Sequence, residues 1–147
     1  MNRRRAIAIL ALLGVFDSTY LLLHKLGQVG TLVCAIEGGC DTVNTSQYAS
    51  LLGFPVAGYG VIGYLLILCL ALVSIQPRWV NDRRADAALA LVSGLGALFS
   101  IYLTFVSLFV IEAACQWCLI SLALILSIFT ISIWGVAAQL RMAIEGR

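Results

Sequence analysis

Cysteine is the residue type in this chain whose spacing most directly invites chemistry. Cys115-Gln-Trp-Cys118 is a C-x-x-C pair at the head of a long apolar run, and Cys34 and Cys40 form a second pair in an earlier, polar loop. A C-x-x-C alone fits thiol–disulfide exchange or metal ligation. Three positions apart on a helix, Cys115 and Cys118 stand on one face with Cβ atoms about 5–6 Å apart. That is near enough to close a disulfide with modest adjustment. In a first helical turn the sulfurs also meet free backbone N–H groups and the positive dipole end, which favour a thiolate. Glu112 lies just before and opposes that effect when ionised. The bland reading is a staple pinning a helix end; the apolar run that follows favours a dithiol at a lipid boundary, open to a hydrophobic oxidant.

Glu37-Gly38-Gly39 lies between Cys34 and Cys40. Two glycines let the loop fold back, and so short a closure costs little entropy. An exposed loop disulfide is open to a thiolate from another protein. A lone pair of this kind is most often a structural staple, so its reading depends on where the other pair lies.

Other candidates are fewer. Asp17 sits inside the first apolar run, where ionisable groups are costly and commonly functional. It can hydrogen-bond Ser18 or Tyr20, or meet a substrate carbonyl. His24, just beyond, reads as an interfacial residue rather than a base. Trp117, Tyr102 and Phe105 offer rings to an aromatic ligand, although bilayer-edge anchoring is the default for Trp117. No nucleotide loop, catalytic triad or carboxylate pair is present, and no metal is expected.

The elements that must position these residues follow from composition. The chain has 147 residues, 62% hydrophobic and 11% charged, with a mean hydropathy of +1.04. Such a sequence has too little charged surface for a soluble domain. The apolar residues segregate into runs near 6–23, 55–75, 87–111 and 115–138, each close to the roughly 20 residues that span a bilayer. A single membrane domain over 1–147, an all-α antiparallel four-helix bundle, is the expected fold. The first run after Arg3-Arg4-Arg5 reads as a retained helix rather than a signal peptide, since no small-residue cleavage site follows it.

Charge sets the orientation. With the N-terminus cytoplasmic, Arg3, Arg4, Arg5, Arg78, Arg83, Arg84, Arg141 and Arg147 fall inside and Lys25 outside. Loop 24–54 and the turn at Glu112 then face outward, so Cys34, Cys40, Cys115 and Cys118 share the oxidising side, where disulfides persist. That shared face turns two ambiguous pairs into a candidate relay. Cys69 lies about 21 Å into the second span at 1.5 Å per residue and reads as a small apolar core residue. Within the outer loop, 45–52 fits either a short amphipathic helix capped by Thr45 or Ser46 or a solvated loop, and periodicity over so few residues does not separate the two. Gly53-Phe54-Pro55 begins the second span, and Gly58, Gly60, Gly63, Gly94 and Gly96 suit close helix approach.

In order along the chain, Tyr20-Leu21, Cys34-x5-Cys40 with Gly38-Gly39-Cys40-Asp41, Ser46, Gly53-Phe54-Pro55-Val56, Gly60, Tyr64 and Cys115-x-x-Cys118 resemble the vitamin K epoxide reductase family in its bacterial form. The resemblance runs from about Gly14 to Leu126. It implies a four-helix bundle around a quinone, with the outer loop as a lid. It implies Cys115 and Cys118 as the active-site pair, Cys118 nearest the quinone, and Cys34 and Cys40 as the shuttle pair. By the same resemblance Cys34 receives electrons from a thioredoxin-like protein, Cys40 passes them to Cys115, and Ser46 supports the cysteines or quinone. Where the mammalian enzymes carry an asparagine and a tyrosine that hydrogen-bond vitamin K, this chain has Val56 and Leu122, so epoxide reduction is not expected. A fused thioredoxin domain, carried by some bacterial members, is not expected here, so the thiol partner is expected to be a separate protein.

The expected function is therefore a membrane thiol–quinone oxidoreductase supporting disulfide formation outside the cytoplasm. Its expected site is Cys34, Cys40, Cys115 and Cys118, with Ser46, Asp17 and Tyr102 as substrate-binding candidates. Expected partners are a separate periplasmic or extracytoplasmic thioredoxin-like protein and the membrane quinone pool (ubiquinone, menaquinone or similar), with no nucleic acid. The expected location is the inner (plasma) membrane, multi-pass, both termini cytoplasmic and the site on the outer face. The rivals are vitamin K quinone or epoxide reduction, a disulfide-bond formation protein B type oxidase (disfavoured because its C-x-x-C precedes the partner pair), and a cysteine-based metal-handling membrane protein. A purely structural four-helix protein with two staples is a further rival.

Overall fold

Each apolar run is long enough to satisfy its own backbone hydrogen bonds across a bilayer, and each becomes a helix. In the computed structural model, which describes residues 2–35, 39–79 and 83–146, these are α1 (Asn2–Lys25), α3 (Val56–Ile75), α4 (Arg83–Phe109) and α5 (Gln116–Glu145). Glu37, Gly38, the middle of the inner connection (80–82) and Arg147 lie outside the described residues. The chain is a multi-pass membrane protein, all-α in its spans. Phe16, Leu98 and Trp134 point outward, as lipid-facing side chains do.

Between α1 and α3 lie a short helix, α2 (Gly39–Thr45), a 3-10 turn over Gln47–Ala49, and a hairpin of β1 (Ser50–Leu51) and β2 (Phe54–Pro55). The register is Ser50 opposite Pro55 and Leu51 opposite Phe54. Of the two readings of 45–52, a continuous amphipathic helix is absent: only the 3-10 turn over Gln47–Ala49 lies there, and the α-helical segment lies earlier. Two local features explain the shift. The Ser46 N–H and hydroxyl both donate to the Val43 carbonyl, closing α2. Leu52 and Gly53 then take φ values of 54° and 79°, the left-handed pair that a two-residue hairpin requires.

The helices pack as a ring. α3 lies on α1, α1 on α5 and α5 on α4, while the seam between α4 and α3 is thinner. α1 supplies the centre of the ring through Arg4, Ile7, Ala11, Gly14, Ser18 and Leu21, all buried. Their alternating spacing of three and four keeps one seam toward the neighbours. Against that seam α3 sets its own small and aromatic residues. A Cβ on Gly14 would stand 2.3 Å from the Tyr64 ring, and one on Gly60 would stand 2.8 Å from the Ser18 hydroxyl. The apolar core beyond is built from Ile7, Ala11, Ile67, Leu89, Ile125 and Ile128 with their neighbours.

Two residues lie elsewhere than expected. Cys69 is a free thiol on the exposed outer side of α3, not a core residue. Arg4 is buried rather than a free cytoplasmic anchor. Its Nη2 lies 3.0 Å from Asp86 Oδ1, and its Nε donates to the same oxygen at 3.1 Å. Its Nη1 donates to the Ser74 carbonyl and to that of Trp79 at 3.3 Å. Gln139 completes the group by donating to Asp86 Oδ2 at 2.6 Å. The Arg4–Asp86 pair thus links the ends of all four spans, opposite the cysteines. Burying this charge is tolerable only because its donors and its counter-ion are paired.

Candidate active site

The turn between α4 and α5 delivers the C-x-x-C. Ser107 Oγ donates to the Ala113 carbonyl at 2.6 Å, and the Ala113 N–H returns to the Ser107 carbonyl at 3.0 Å. Glu112 takes a left-handed φ of 55° within this turn. Cys115 then occupies the N-cap of α5 rather than its first turn, and its Sγ accepts the Cys118 N–H at 3.3 Å. A sulfur in that place meets the backbone donors of the helix start. The hydrogen bond from the Cys118 thiol holds the Cys115 thiol below the usual thiol range. Backbone N–H groups of Cys118 and Trp117 add to this, while burial opposes it.

Cys34 and Cys40 are joined as a disulfide with their Cα atoms 6.2 Å apart. Cys40 is 0% exposed and Cys115 is 1% exposed, and they share one buried cluster with Leu21 and Leu32, against which Cys34 and Cys118 pack. The contact that allows this is backbone on backbone. A Cβ on Gly39 would lie 2.2 Å from the Ala114 carbonyl oxygen, so only glycine fits directly before Cys40.

The two residues between Cys115 and Cys118 hold the chain around Cys34. Trp117 Nε1 donates to the Val33 carbonyl at 2.9 Å, and its ring lies 4.9 Å from that of Tyr20. The Val33 N–H donates to the Tyr20 hydroxyl at 3.3 Å. Gln116 Oε1 accepts the Ala35 N–H at 3.0 Å. Trp117, expected at the bilayer edge, is thus engaged with the loop. Gln116 was not legible as a site residue, because its partner is a backbone group 81 positions away.

His24, expected as a lone interfacial residue, fastens α2 to the end of α1. Its Nε2 lies 2.9 Å from Asp41 Oδ1, and its Nδ1 lies 2.8 Å from Asn44 Nδ2. Asn44 Nδ2 also donates to the Leu21 carbonyl at 3.1 Å, which fixes its amide orientation. His24 Nδ1 must then accept, so the ring proton sits on Nε2 and is given to Asp41. Lys25 Nζ adds a bond to the Asn44 carbonyl at 2.9 Å.

Beneath this lid lies a cavity of about 180 Å³ whose lining includes Ser18, Ser46, Gly63, Tyr64, Cys118 and Ser121. An apolar cavity of about 150 Å³ takes up a benzene-sized ring, so a single quinone-sized ring fits. Tyr64 donates its hydroxyl to the Ser121 carbonyl at 2.8 Å, and its oxygen lies 3.0 Å from Ser121 Oγ. Cys118 reaches the cavity and Cys115 does not. Among the expected substrate-binding residues Ser46 lines the cavity, Asp17 is buried one layer behind it, and Tyr102 is 59% exposed on the outer side of α4. Phe105 also points outward, stacked on Phe109 at 4.7 Å. Among the described residues no group of three or more His, Cys, Asp or Glu side chains is gathered as a metal site.

A sequence model of the vitamin K epoxide reductase family matches residues 5–133 of the 147-residue chain.

Proposed function

The chain belongs to the vitamin K epoxide reductase family of membrane thiol–disulfide and quinone oxidoreductases, and from that premise we propose a two-pair relay between an extracytoplasmic thioredoxin-like protein and a membrane quinone. A thiolate of the reduced partner attacks Cys34, the less buried end of the Cys34–Cys40 disulfide, and frees Cys40. When Cys115 and Cys118 are oxidised, Cys40 attacks Cys115 and frees Cys118; the partner's second thiol then closes the partner's own disulfide and releases Cys34, which attacks Cys40, re-forming Cys34–Cys40 and freeing Cys115. The dithiol then reduces the quinone. Each exchange needs a thiolate facing a reachable disulfide.

One observation carries this reading: Cys40 and Cys115 lie in a single buried cluster, and Cys118, three residues on, opens into a ring-sized cavity. The observed pairing, Cys34–Cys40 joined with Cys115 and Cys118 free, matches the stage of this cycle that precedes quinone reduction. Ser46 is a polar contact for the ligand or the thiols, while the outward Tyr102 has no part in this reading. Val56 brings no hydrogen-bonding side chain to the cavity, which argues against epoxide chemistry.

The test is reconstitution of the full chain in vesicles with ubiquinone and a reduced thioredoxin-like protein, following quinol formation by absorbance. Serine at each of Cys34, Cys40, Cys115 and Cys118 is expected to abolish sustained turnover. Full activity in the Cys115 or Cys118 variants overturns the relay.

A further inference from the structure

Among the described residues two carboxyl groups are buried within the spans, Asp17 and Asp86. The fold treats them oppositely. Asp86 is held by Arg4 and Gln139. Asp17 is 6% exposed, and neither of its oxygens has a hydrogen-bond partner. A buried carboxyl without partners is expensive in a soluble core and more so at membrane depth. Packing does not explain it either, since an apolar residue of similar size would fill the same place at lower cost. An isolated acid kept in such a place points to a proton.

Its neighbours point the same way. Ser121 interacts with the Asp17 carboxyl, short of a well-formed hydrogen bond. Ser121 also lines the cavity and lies 3.0 Å from the Tyr64 hydroxyl, itself a lining residue. Tyr64 on α3, and Cys115 and Cys118 at the start of α5, all interact electrostatically with Asp17. Asp17 therefore lies behind the cavity wall, next to Ser121, which lines it, and within electrostatic reach of both thiols.

The geometry points to Asp17 as the proton carrier of the quinone step, acting through the Ser121 hydroxyl. This inference rests on the relay proposed above. Forming the Cys115–Cys118 bond breaks two S–H bonds, sends two electrons to the quinone and leaves two protons for its two oxygens. Cys118 lines the cavity and delivers one proton directly. The other moves through the carboxyl: Asp17 gives its proton to Ser121, which passes its own to the quinone oxygen, and Asp17 recovers a proton from the dithiol. Thiol, carboxyl and hydroxyl are each restored, and the sum is dithiol plus quinone to disulfide plus quinol.

The experiment is a single turnover of the full-length, pre-reduced protein in vesicles with a short-chain ubiquinone, followed by quinol absorbance in H₂O and in D₂O. Asp17→Asn is nearly isosteric and is expected to slow the step by about 10²-fold, the scale of a positioned proton donor. Asp17→Glu is expected to recover much of the rate, and Ser121→Ala to fall with Asp17→Asn. The limiting rate of Cys115 alkylation by iodoacetamide at high pH, where the thiolate is fully formed, should match the parent in all three variants, since the thiols are not displaced. A parent rate and parent solvent isotope effect in Asp17→Asn overturn the assignment while leaving the relay intact. Equal losses in Asp17→Asn and Asp17→Glu, with altered alkylation, also overturn it and make Asp17 structural. Absence of quinol from the parent protein overturns the relay itself, and the carrier with it.

Discussion

Trp117 donates its indole N–H to the Val33 carbonyl, the residue before Cys34, across 84 positions of sequence. The tryptophan of one cysteine pair thus holds the backbone of the other. With the Gln116–Ala35 bond it fixes the lid segment over the start of α5, so the C-x-x-C motif positions its own exchange partner.

Replacing Trp117 by Phe keeps a ring against Tyr20 and removes the N–H. One such hydrogen bond contributes about 1 kcal/mol, roughly a five-fold change in an equilibrium. In a Cys34→Ser, Cys118→Ser background, the fraction trapped as a Cys40–Cys115 disulfide in a glutathione buffer should fall by about that factor, and further in Trp117→Ala. Non-reducing electrophoresis reads the result.

Gly39→Ala separates the two halves of the cycle. The added Cβ meets a backbone oxygen that cannot move without disturbing the Cys115 turn. Cys40–Cys115 trapping should drop by more than about ten-fold, a cost of at least about 1.4 kcal/mol, within the range of overpacking. Oxidation of the pre-reduced Cys115/Cys118 dithiol by quinone should be preserved, as measured by single-turnover quinol formation.

Cys118→Ala should shift the titration of Cys115 upward. The Cys118 thiol donates a hydrogen bond that favours the Cys115 thiolate, so its loss favours the protonated form. Iodoacetamide alkylation of Cys115 against pH should show a midpoint below about 8.5, the free-thiol value, in the parent protein. The midpoint should lie higher in the variant. An unchanged midpoint removes Cys118 as the cause.

Arg4→Ala leaves the Asp86 carboxyl buried without its main partner. Breaking a buried pair from one side costs about 3–5 kcal/mol, so thermal unfolding in detergent should occur at clearly lower temperature. Arg4→Met with Asp86→Leu removes both charges and should recover most of that loss. The alkylation rate of Cys115, at the opposite end of the bundle, should stay at the parent value in the double variant.

Much of the fold was legible because membrane spanning is a local property of composition. Twenty apolar residues declare a span whatever they touch, and the runs at 6–23, 55–75, 87–111 and 115–138 correspond to α1, α3, α4 and α5. The cysteine types and their order were equally plain. The helix over 39–45 was missed because its end is set by the Ser46 bonds to the Val43 carbonyl, a contact that seven residues of mixed polarity do not announce.

What the sequence could not supply was rotation and distance. A helix apolar on every side carries no polar stripe to show which face turns inward. Cys69 was therefore expected in the core and lies on the exposed side of its helix, and Arg4, expected only as a cytoplasmic anchor, is buried against Asp86. Trp117 and Gln116 bind backbone carbonyl and amide groups, which leave no mark on residue identity. Four spans and two cysteine pairs in a stated order could be read from residue types alone. Packing was needed to bury Cys40 beside Cys115, to leave the Asp17 oxygens without a hydrogen bond while Asp86 has two partners, and to let Cys118 alone of its pair reach the cavity. Each of these depends on how far each helix is turned about its axis, which packing sets and composition does not.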